Sequence, residues 1–185
     1  NFVLLTDFMQ EAVKKAEKEL KKRKSKNIAK IANIIGLGAV KYSILKVSPE
    51  KNILFDWNSA LSFEGETAPY IQYAYARASS ILKKAKITAN NPNYLLITSP
   101  QEINLINKLY IFPEVIFKST IDLKPYLIAN YIYQLAQSFN EFYHKCQCIT
   151  ENRELTKTRL AIVLSTRQVL KTGLSLLGID VPEKM

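Results

Sequence analysis

Three side chains in the stretch APYIQYAYARASSIL could meet a flat, polar ligand. Tyr70, Tyr73 and Arg77 stand at i, i+3 and i+7, a spacing that puts them on one face of a helix. A core prefers Leu, Ile and Val, whereas Tyr suits a place where one end is buried and the other meets something polar. Two phenol rings and a guanidinium on one face make a stacking platform with hydrogen-bond donors beside it, as used to hold unpaired RNA bases. The same spacing suits a half-buried seam between helices, and spacing alone leaves both readings open. Tyr75 falls off that face and reads as core or a helix–helix contact.

A second candidate is His144, Cys146 and Cys148, an H-x-C-x-C array. All three residue types bind zinc, but a closed zinc site needs four ligands, and the chain has no other His or Cys. We therefore expect no metal and read the thiols as packing residues after a helix end. One histidine also leaves no Ser-His-Asp or Cys-His set, so no catalytic residue is assigned. The Gly-x-Gly of GLGAVKY lacks the third glycine and the preceding strand of a phosphate loop.

Charge adds a second kind of signal. The net charge of +10 favours an anionic partner, and residues 11 to 46 carry 11 Lys/Arg against 3 Asp/Glu. Most of the excess therefore sits near the N-terminus, with Lys21, Lys22 and Arg23 at its centre. The run KKAEKELKKRK reads equally as a solvated helix face. No apolar run reaches the ~18 residues of a membrane span, and no secretory leader is visible. Two cysteines argue against a disulfide framework, so the expected setting is a reducing cytoplasm, away from membranes. The chain begins at Asn1 rather than Met, so we expect an upstream part.

Periodicity supplies the elements that would carry these residues. A helix from Thr6 or Asp7 to about Arg23 places Phe8, Val13, Ala16 and Leu20 on one side. A second starts at Ser25 or Asn27, with Ile28, Ile31, Ala32 and Ile35 at helical spacing, and GLGAVKY is expected to interrupt it. SPEKNILFDW reads as a turn and a short extended piece. The tyrosine helix should run from Ala68 to Lys86, with Pro69 in its first turn and TANNPNY as its end. Further helices begin at Ser99-Pro100, with Glu102 as a capping residue, and near Pro113. Pro125 opens one reaching Lys145, and the last runs from Glu154 to Leu177, stopped by Gly178. The fold class is all-α: a helical bundle preceded by a helical segment.

Longer phrases carry a resemblance. GLGAVKY, FDWNSALSFEGETAPYIQYAYARASSIL and the closing RLAIVLSTRQVLKTGLSLLGIDVPEKM resemble the C-terminal part of the arginyl-tRNA synthetases, class I enzymes. The likeness runs from Asn1 to Met185 and is weakest at residues 88 to 125. It implies a helical linker over residues 1–65 that leaves the catalytic core, followed by a DALR-type anticodon-binding domain over residues 66–185. NFVLLTDF looks like the segment just after the family's KMSKS-like loop.

The resemblance further implies that the nucleotide-binding core, with its HIGH-type motif, and the family's N-terminal domain lie outside this chain. ATP, magnesium and ligation would belong to the full-length enzyme, with no cofactor in this part. The partners implied are tRNA(Arg) and the rest of the same polypeptide, in a monomer. Tyr70, Tyr73 and Arg77 match the family's PYxQYAxxR helix. Tyr143, in NEFYHKC, matches an aromatic late in the next-to-last helix, and Met185 the terminal Met; together these imply a pocket for the middle anticodon base. Lys21, Lys22, Arg23 and Lys83 are expected on the tRNA backbone, and Lys41 and Tyr42 near a hinge to the catalytic core. Cys148 stands where the family more often has a branched apolar residue. Two other readings remain: a stand-alone helical RNA-binding module, and a helical scaffold for protein partners.

Overall fold

The computed structural model describes residues 4–22 and 27–185; Arg23 and the candidate cap Ser25 lie outside them. Among the described residues the elements are eight α-helices and one 3-10 turn, with no strand. They are α1 (Leu5–Lys22), α2 (Ile28–Leu45), α3 (Trp57–Ala60), α4 (Ala68–Lys84), α5 (Pro100–Tyr110), α6 (Phe112–Asp122), α7 (Tyr126–Lys145) and α8 (Arg153–Leu176), with the 3-10 turn at Tyr94–Leu96. The all-α expectation holds. The short extended piece does not become a strand. Asp56 instead accepts the Ser59 N–H at 2.7 Å and caps α3.

The largest departure lies in α2, which runs unbroken through Gly36 and Gly38. A Cβ added at Gly36 would sit 2.8 Å from the Ala12 carbonyl carbon and oxygen, and one at Gly38 would sit 2.8 Å from Gln72 Nε2. These glycines mark where α1 and α4 press onto α2. Continuity also makes α2 long and apolar enough to cross a membrane by length and composition, at a mean hydropathy of 1.4, contrary to the expectation that no stretch qualifies. Its apolar side faces protein: Ile31, Ala32, Ile35, Ala39 and Val40 are buried.

Two apolar clusters result. The larger joins α4, α7 and α8 around Ile71, Tyr75, Leu135, Phe139, Phe142, Leu160 and Leu170. Burying each of these large side chains stabilises the fold by roughly 1.5–3 kcal/mol. The smaller joins α1, α2 and α3 through Ala16, Leu20, Ile35, Ala39 and Leu61. Tyr42 of α2 belongs to the larger cluster, fully buried, and its hydroxyl donates to the Ala129 carbonyl at 3.0 Å. Burial pushes its phenol well above the ordinary range, so it stays neutral. Lys41 donates to the Gly178 carbonyl just beyond α8. Both residues of the expected hinge are thus tied to α7 and to the end of α8.

Polar groups fix the far end of the bundle. Glu102 is wholly buried and caps α5 by accepting the Ser99 N–H at 2.9 Å, while its other oxygen takes Arg159 Nε at 2.6 Å. Arg159 also donates to the Gln147 carbonyl at 2.9 Å. At the end of α8, Gly178 adopts φ +66°, the left-handed turn expected of a helix stop.

Two outcomes follow for equilibrium urea unfolding. Gly36→Ala must push α1 away from α2 and should cost about 1–3 kcal/mol, as overpacking does. Arg159→Ala leaves the buried Glu102 carboxylate unpaired and should cost about 3–5 kcal/mol.

Candidate nucleic-acid interface

The start of α4 is fixed before its side chains are aimed. Thr67 Oγ1 accepts the Tyr70 N–H at 3.2 Å and donates its own proton to the Ser62 carbonyl at 2.7 Å. With Pro69 in the first turn, the helix begins at a defined residue. Its inner faces hold Ala68, Ala74 and Ala78, all fully buried, so α4 lies close against its neighbours. The stripe left open carries Tyr70, Tyr73 and Arg77.

That stripe faces α7 across a groove of about 700 Å³, floored in part by Phe63 and Glu64 from the loop before α4. Arg77 is the centre of it. Its guanidinium lies 4.7 Å from the ring centroid of Tyr73 and 4.7 Å from that of Tyr143, and it donates to Asn140 Oδ1 at 2.7 Å. Both rings remain more than a third exposed, at 38% and 40%. The sandwich holds a long side chain that would otherwise wander, each cation–π contact contributing about 0.5–1 kcal/mol at such exposure. It leaves part of each ring for a planar ligand, although Tyr73 also meets Phe63 and Tyr143 meets His144, and the remaining guanidinium N–H groups for an oxygen acceptor. Tyr70 is half-buried against Tyr133, with centroids 5.6 Å apart, and so serves partly as groove wall.

None of the α7 residues that line the groove was read as such from sequence, Glu141 and Lys145 included, and His144 was considered only for metal binding or catalysis. The uncharged polar ones are Gln137, Asn140 and His144. They too stand at i, i+3 and i+7, so a polar stripe at helical spacing was the available signal. Phe63 meets Tyr73 edge to face at 6.5 Å and gave no such signal, being in a loop.

The other expected residues are distributed more widely. A second depression lined by Lys15, Lys18 and Trp57 shares Phe63, Glu64 and Tyr73 with the groove, so basic α1 borders the same trough. Lys21 pairs with Glu17 at 2.8 Å, one turn away on α1. Lys22 is the last residue of that helix. Lys83 stands elsewhere, 3.4 Å from Glu183 of the C-terminal tail. Met185 packs on the α1–α3 cluster, to which Phe63 and Trp57 also belong, rather than lining the α4–α7 groove.

Cys146 and Cys148 are both buried, Cys146 Sγ donating to Ser99 Oγ at 3.4 Å. Among the described residues no group of three His, Cys, Asp or Glu could hold a metal ion. Burial pushes the Cys148 thiol up to about 11. At pH 8 it should therefore carry about 100-fold less thiolate than an ordinary thiol of the same reference value. Iodoacetamide at pH 8, followed by peptide mass spectrometry, should leave Cys148 unmodified in the native protein and label it in urea.

Comparison with known proteins gives the family. Residues 71–185 match the model of the DALR anticodon binding domain, and the chain belongs to that family. It is 42% identical over 186 residues to the arginine–tRNA ligase of Clostridium botulinum, a match covering 99% of this chain and 33% of the relative. The Thermus thermophilus arginyl-tRNA synthetase superposes with a TM-score of 0.93 at 35% identity, over 99% of this chain and 32% of that one. The Plasmodium falciparum arginyl-tRNA synthetase gives 0.89 at 28%, over 100% and 34%. The chain thus spans about a third of the length of the relatives it matches.

Proposed function

We propose that this chain is the tRNA-recognition part of an arginine–tRNA ligase and binds the anticodon stem-loop of tRNA(Arg) in the α4–α7 groove. The observation that carries this is Arg77 held between Tyr73 and Tyr143 beside Asn140, with basic α1 bordering the same trough. Unpaired bases stack on exposed tyrosines, Arg77 meets a base edge or phosphate, and lysines of α1 neutralise the backbone. Residues 66–185 would form the reading domain and residues 1–65 the linker. The full-length enzyme would act as a cytoplasmic monomer.

ATP and magnesium are proposed for the full-length enzyme only. The donor set here does not fit them: the chain has no glycine-rich phosphate loop, and the described residues offer no carboxylate cluster. No chemical step is assigned to these residues.

The test compares an anticodon stem-loop of tRNA(Arg) with one changed at the middle base. Tyr143→Ala or Tyr70→Ala should weaken binding about 5- to 150-fold, reflecting one lost stack of roughly 1–3 kcal/mol, with little change in salt slope. Lys21→Ala should weaken both RNAs equally and lower the salt slope by about one unit if the amine meets a phosphate. Thermal midpoints separate these effects from unfolding. A folded Tyr143→Ala that discriminates the two RNAs as well as the parent would overturn the role given to Tyr143.

A further inference from the structure

The C-terminal tail follows Gly178 and is joined to the bundle by a polar cluster in which only Lys83 had been given an expected role, on the tRNA backbone. Glu183 is the centre of it. One carboxylate oxygen accepts the Tyr75 hydroxyl at 3.1 Å and an Arg167 N–H at 3.4 Å; the other accepts Lys83 Nζ at 3.4 Å. Arg167 is itself aimed by Ser79, to which its Nε donates at 2.9 Å, and its guanidinium lies 5.3 Å from the Tyr75 ring centroid. Upstream in the tail, Gln72 Nε2 donates to the Asp180 carbonyl at 2.8 Å, and Ile179 is buried in the larger cluster.

Two residues beyond Glu183 the chain reaches Met185, which packs on the smaller cluster. The tail therefore bridges both clusters; between Ile179 and Met185, Val181 packs on the larger cluster and Glu183 supplies the polar side-chain tie to α4 and α8. Tyr75 was the tyrosine of the opening stretch that faced away from the groove; here it gains a purpose for its hydroxyl. A packing role alone would be met by Phe.

We propose that Glu183 is a positioning residue for RNA recognition: by bridging Tyr75 and Lys83 of α4 to Arg167 of α8, it holds Met185 against the α1–α3 cluster beside the trough. This rests on the reading of the trough as an RNA site. The groups facing the carboxylate are Tyr75, Lys83 and Arg167, and Lys30, Lys171 and Asp180 line the depression next to it. The Tyr75 hydrogen bond, then Lys83 and Arg167, hold the Glu183 carboxyl below its ordinary range. A depressed folded value means the latch is complete above the ordinary Glu range and is lost as pH falls through the folded value. Glu183 and Lys83 are both more than half exposed, so the latch is also sensitive to salt.

The chain has two methionines, Met9 and Met185, so ε-methyl labelling gives a direct view of the tail. In the parent, the Met185 methyl signal should titrate below the ordinary Glu range. In Glu183→Gln it should shift toward its random-coil position at neutral pH and stop titrating. Lys83→Ala should move it part of the way, without altering the tail itself. Removing one such exposed ion pair should raise the open population about 2- to 5-fold. The same Glu183→Gln protein should lose discrimination between the two stem-loops while its salt slope stays that of the parent. An unchanged Met185 signal in Glu183→Gln overturns the latch. A shifted signal with undiminished discrimination overturns its part in recognition. If the parent itself does not discriminate the RNAs, the proposed function falls, and the methyl signal still decides whether Glu183 holds the tail.

Discussion

Everything in this bundle is arranged around the burial of α4. The helix is covered by α2, α7 and α8, and its inner positions Ala68, Ile71, Ala74, Tyr75 and Ala78 have no exposed surface. Alanine on the inner faces allows the neighbours to approach without voids, which close-packed interiors require. Three-sided cover leaves one stripe for solvent, and the groove is that stripe. The residues that look functional are where they are because most other directions around the helix are taken by packing against α2, α7 and α8 and by polar ties to the tail.

The polar interactions divide by burial. Glu102 with Arg159 is sealed at the α5–α8 end, where a lone charge would be costly and geometry must be kept. Arg167, Glu183 and Lys83 lie at the surface, where an ion pair is weak and reversible. Arg77 is between the two cases, half-buried, with tyrosine faces and Asn140 standing in for a carboxylate partner. Among the described residues no ion pair involving Arg77 is formed, although Glu64 and Glu141 line the same groove, so its guanidinium keeps donors for an incoming anion. This fits the overall excess of +10, which attracts polyanions at a distance before any contact is made.

The longer helices were legible in the chain, because a 3.6-residue period and capping residues act locally; the short α3 was not. Thr67 and Pro69 start α4, Ser99 with Glu102 starts α5, and Gly178 stops α8, as their chemistry requires. Tyr70, Tyr73 and Arg77 on one face also followed from spacing alone. The error at GLGAVKY has the same origin: glycine looks like a breaker locally, and only the approach of α1 explains why α2 keeps it.

Tertiary structure decided the rest. Tyr143 joins Arg77 across 66 positions of chain, and Asn140 completes the pair, because α4 and α7 share a core. Tyr42 and Lys41 became internal ties when α2 proved continuous. Lys83, an expected backbone contact, faces the tail, and Met185 packs with α1–α3. Periodicity tells which side of a helix is apolar, since that is a property of consecutive residues. Which helix lies opposite is set by packing among all of them at once, and a site made from two facing stripes exists only after that packing is complete.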